Sequence, residues 1–114
     1  MISSVLAMAL AAAAPGSPSD GLARARRDYS SCLSGFMKKG LKDKMDLDAF
    51  GAALGPACAA QEQAFRSAAI SVDTAAGIKR AAAEENARME VADMLANAKE
   101  KFEVYKSSNT LLEN

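Results

Sequence analysis

Two cysteines constrain this chain more than any other feature. Cys32 and Cys58 each stand thirteen positions from Met45, and each falls on a run of apolar residues spaced three and four apart. That spacing is the rhythm of one helix face. If the chain reverses near Met45, positions equidistant from the turn meet across an antiparallel helical hairpin. A disulfide needs Cα atoms within about 7 Å of each other, a condition few other placements satisfy. The sequence therefore predicts a Cys32–Cys58 bond, closing a loop of 27 residues. In the chain-entropy account such a loop stabilises the fold by about 3.5 kcal/mol.

The two arms can be read outward from that pair. The first has Ser19 or Asp20 as its expected N-cap and a stripe of Leu22, Ala25, Tyr29, Cys32 and Phe36. Gly35 and Gly40 weaken its second half, and KGLKDKMD reads as a helix end with lysines in the last turn. The second arm starts near Asp46 and carries Leu47, Phe50 (or Gly51), Leu54, Cys58, Gln61, Phe65, Ala68 and Val72. Gly55-Pro56 interrupts it, either as a kink or as the start of a fresh helix at Pro56.

A third helix is expected from a cap at Asp73 to about Tyr105, with a stripe of Ile78, Ala82, Glu85, Met89, Ala92, Leu95, Ala98, Phe102 and Tyr105. Arg80 with Glu84, Glu84 with Arg88 and Lys99 with Glu103 are spaced to pair along it. No Gly/Asn turn is evident between the second and third segments, so one long helix bent between Val72 and Gly77 competes with a true break, which is preferred. The expected fold is all-α: a small bundle made of a disulfide-pinned hairpin and a long third helix, within residues 20–106.

The termini read differently. Residues 2–14, ISSVLAMALAAAA, are apolar and uncharged but shorter than the roughly 20 residues of a membrane span. They read as a signal-peptide core cleaved after Ala12 or Ala13, despite the lack of a basic n-region. On this reading 1–13 is the signal, 14–19 a linker and 107–114 a frayed tail. Export would put the cysteines in an oxidising compartment. A staple matters here because the core is thin. Half the residues are hydrophobic, many of them alanine, while only 5% are aromatic and none is tryptophan.

Charge and chemistry narrow the function classes. Fourteen basic and fourteen acidic residues cancel, which argues against a nucleic-acid binder or an acidic tail. The balance hides a segregation: residues 20–44 carry +4 and residues 45–114 carry −4. Arg24, Arg26, Arg27, Lys38, Lys39 and Lys42 give the first helix a basic character. It reads first as solvated exterior and second as a surface for anionic lipid.

The chain has no histidine, the commonest general base and metal ligand. Glu84, Glu85, Glu90 and Asp93 cluster on the third helix, and Glu85 alone falls on its expected apolar stripe, a weak basis for catalysis. Two thiols without histidine make an incomplete metal site. A redox pair, with Cys58 activated near a helix start at Pro56, lacks the close Cys-x-x-Cys spacing of working oxidoreductases. Met37, Met45, Met89 and Met94 are expected to fill the core. No catalytic, metal or cofactor-binding residue is expected. The expectation is an exported, non-catalytic helical protein of the cell envelope acting by structure or protein binding, its partner another envelope protein or a further copy of itself, with a membrane-surface protein and a thiol redox protein as the alternatives.

Overall fold

The computed structural model describes residues 17–108, and these form four helices and no strand. The expected signal segment 1–13, residues 14–16 of the expected linker and residues 109–114 of the expected tail lie outside the described residues.

Helix α1 spans Pro18–Lys42, so it starts inside the expected linker. Ser17, rather than Ser19 or Asp20, is its cap, with a hydroxyl that accepts from the Asp20 N–H. Proline at the first helical position follows naturally, since it loses no donor there and its φ is already helical. The chain leaves α1 through Asp43 and Lys44, where Lys44 takes the left-handed region at φ 59°. Asp46 then caps α2 (Leu47–Ala57) by accepting from the Ala49 N–H at 2.8 Å.

Pro56 neither kinks one continuous helix nor opens a new one. It sits in the last turn of α2, and the break falls two residues later at Cys58, which caps α3 (Ala59–Ala75). The proline ring removes one backbone donor from that turn. The Cys58 N–H reaches only three residues back, to the Gly55 carbonyl, and the tight turn ends the helix.

Helix α3 passes through Asp73 without a boundary, so Asp73 caps nothing; its carboxylate instead accepts from the Asn86 amide. The break that does occur depends on Gly77 at φ +96°, a backbone region that favours glycine. Helix α4, Arg80–Ser107, then begins seven residues after the expected cap.

The four helices stand as three columns. Helices α2 and α3 together run antiparallel to α1, and α4 returns alongside α1. Stacked rings join the columns at one end, with Phe50 between Phe36 at 5.6 Å and Phe102 at 3.9 Å. Gly40 lets this happen: a Cβ there would lie 3.1 Å from the Phe102 ring and 3.2 Å from Phe50. Further along, Tyr29 stacks on Phe65 at 5.9 Å. Leu33, Met37, Leu41, Leu54, Val91 and Ala98 fill the space between.

The expected stripes hold on α1 and on α2–α3, though Leu33, Met37 and Leu41 widen the first. On α4 only the second half holds, at Leu95, Ala98, Phe102 and Tyr105. Its first half buries Ala83, Ala87 and Val91, while Ala82, Glu85, Met89 and Ala92 face solvent. Alanine occurs on both sides of α4, so apolar spacing alone leaves the choice of face open there.

Candidate interaction surface

The two cysteines are joined, with Cα atoms 5.9 Å apart. Cys58 is fully buried and Cys32 partly so, both packed into the core cluster. The bond ties the middle of α1 to the junction of α2 and α3. Cys58 has no exposed surface through which an attacking thiolate could reach it, whereas Cys32 is only partly covered.

Groups suited to chemistry are occupied by their neighbours. Glu85 is exposed on α4, not on the apolar stripe. Its hydrogen bond from Arg88 holds its carboxyl below the usual range. Arg80 takes Glu84 at 3.0 Å, so Arg88 pairs with Glu85 rather than with Glu84. Arg66 reaches Glu62 at 3.0 Å. These five charged groups other than Glu62 line an open cleft between α3 and α4, where arginine and glutamate neutralise one another. Arg26 bridges α1 to α4 through Glu90 and lays its guanidinium 5.3 Å from the centre of the Phe65 ring. Among the described residues no set of three or more His, Cys, Asp or Glu is placed to hold a metal.

Among the described residues two buried side-chain polar atoms make no hydrogen bond, the Tyr29 hydroxyl and the Arg66 Nε, and the second has Glu62 as an ion-pair partner at 3.0 Å. Burial, reinforced by Glu62 and opposed by Arg66, pushes the Tyr29 pKa up to about 12. Its ring stacks on Phe65 across the α1–α3 seam, and Tyr29 is not among the residues that line the α3–α4 cleft.

The surface itself is more distinctive. Of the six basic residues singled out on α1, Arg26 is drawn into the Glu90 and Phe65 contacts and Lys39 pairs with Asp43 at 3.1 Å. The other four, Arg24, Arg27, Lys38 and Lys42, are exposed and have no ion-pair partner among the described residues. With Ser31 and Gly35 between them they recur at steps of three and four, which puts all six on the solvent face of α1. Asp20 and Asp28 border this stripe.

Helix α4 carries a counterpart, of which Ala82, Glu85 and Met89 were expected on the apolar face. Ala82, Glu85, Met89, Asp93, Ala96, Glu100 and Glu103 follow the same steps and are all exposed. Met89 is 52% exposed, so it is not the core filler expected of it, whereas Met37 is buried and Met45 and Met94 pack against the core. No basic residue lies on this stripe. Compared with known families, characterised proteins and solved structures, the chain matches none.

Proposed function

We propose that this chain is a small exported helical protein of the cell envelope that works by structure or by binding other proteins, without catalysis. The observation that carries the reading is the Cys32–Cys58 bond, packed against the core of a bundle whose large buried side chains are few. Such a staple holds in an oxidising compartment and opens in a reducing one. The uncharged apolar segment at residues 2–14 agrees with that compartment. The paired charges of the α3–α4 cleft agree with a non-catalytic role.

The deciding experiment is intact mass of the protein from the envelope fraction of a bacterial host, with and without reductant and alkylating agent. The reading expects loss of about 12 to 14 N-terminal residues and two hydrogens missing until reduction. An uncleaved chain with two alkylatable thiols refutes it.

The exposed basic stripe of α1 favours a second reading, contact with anionic membrane surfaces. The stripe has no apolar side chain to insert, and no described helix is long and apolar enough to cross a membrane. Contact would rest on charge alone, and flotation with anionic liposomes would fade as salt is raised.

A further inference from the structure

The two exposed stripes match each other. Arg24 to Lys42 and Glu85 to Glu103 each cover a step of eighteen residues, about 27 Å of helix. Along α1 the order is two cations, a waist of Ser31 and Gly35, then two cations. Along α4 the order is Glu85, already paired with Arg88, then Met89, the anion Asp93 and Ala96, then the two anions Glu100 and Glu103. The charges face solvent on different columns of the same molecule, so one molecule cannot bring them together.

Gly35 is a second, separate observation. A Cβ at this position would meet nothing within 4 Å, and its φ is not one that favours glycine. Glycine inside a helix costs about 1 kcal/mol relative to alanine, and nothing within the molecule calls for it here. A small residue at the centre of a helix face does allow another helix to approach closely, and Met89 is a side chain exposed and long enough to meet it.

We infer that a second copy of this chain docks here, the basic face of α1 on one molecule lying along the acidic, Met89-centred face of α4 on the next. This deepens the reading of the protein as a structural or binding module by naming its partner. Because the two faces differ, the contact is heterologous, and each molecule keeps one face of each kind free to build a ring or an open chain. A contact so rich in exposed charge is weak and labile to salt.

The test uses the oxidised protein in sedimentation velocity at low and high ionic strength, with three variants whose folding is checked by circular dichroism. Arg27→Glu/Lys38→Glu makes the α1 face acidic, and Glu100→Lys/Glu103→Lys makes the α4 face basic. Lys79→Glu/Lys106→Glu changes the net charge as much as the first variant but off both stripes. The expected result is salt-sensitive association of the wild type and of the off-stripe variant. Each stripe variant alone should associate at least tenfold more weakly, and a mixture of the two stripe variants should recover association. Failure of the mixture to associate, equal weakening by the off-stripe variant, or a wild type that stays monomeric at low salt overturns the inference. So does a wild type that binds anionic vesicles but not itself. None of these results depends on the compartment that the mass measurement reports.

Discussion

Two glycines five residues apart on α1 should respond to the same substitution with opposite signs. Replacing either by alanine removes the backbone freedom that glycine carries in the unfolded chain, a gain of about 1 kcal/mol in a helix. At Gly35 nothing lies within 4 Å of the new methyl, so the gain is kept. At Gly40 the methyl would sit 3.1 Å from Phe102 and 3.2 Å from Phe50. Those rings are rigid and already stacked 3.9 Å apart, with Phe36 beyond, so no flexible side chain can yield. Overpacking of this kind costs typically 1–3 kcal/mol, about 2 at the centre of that range. Gly35→Ala should therefore stabilise by about 1 kcal/mol and Gly40→Ala should destabilise by about 1 kcal/mol. In a domain of this size each change corresponds to several degrees in melting temperature. Urea unfolding with the disulfide intact, at high ionic strength to suppress self-association, reads both. If Gly40→Ala stabilises as much as Gly35→Ala, the packing argument fails.

Other outcomes follow from single residues. Cys32→Ala/Cys58→Ala should cost about 3.5 kcal/mol if the bond acts by constraining the unfolded loop, and an unchanged urea midpoint would contradict that. Tyr29→Phe removes a buried hydroxyl without a partner and should stabilise by about 1 kcal/mol; a loss of that size would show the hydroxyl to be bonded. The same residue governs the alkaline limb. Its pKa rises to about 12 on folding from an unfolded value near 10, so its share of stability is complete below pH 10 and is lost as the pH climbs from 10 towards 12. Tyr29→Phe should flatten that decline in thermal melts. Lys44 holds a left-handed backbone at φ 59°, so Lys44→Gly should stabilise by up to about 1 kcal/mol in the same melts.

What the sequence made legible tracks where large side chains sit. Tyr29, Phe50, Leu54, Phe65 and Phe102 are big enough that only one face of their helices can bury them, and the expected stripes place all five in the core. The register of the first half of α4 was not legible, because Ala82, Ala83, Ala87 and Ala92 are alike in size and lie on both sides. Burial there is decided by α3 as a neighbour. Boundaries failed for a local reason: Asp73 was expected to cap a new helix, but Thr74 hydrogen-bonds back to the Ile70 carbonyl and the helix continues to Ala75. Ala82, Glu85 and Met89 were placed on the apolar face for the same reason as the register.

The position of the disulfide divides the molecule by rate of opening. On one side of it stand Phe36, Phe50 and Phe102, enclosed in the covalent loop or stacked against it. On the other, beyond the Tyr29–Phe65 stack, the end of α3 and the start of α4 are held largely by Ala69, Ala83 and Ala87 and closed by the exposed turn at residues 76–79. Alanines bury little area each, so that end opens at lower free energy than the whole. Amide hydrogens near Gly77 should exchange with solvent well before those around Phe50, and the bundle should come apart from the α3–α4 turn inward, with the ring stack and its disulfide the last to separate.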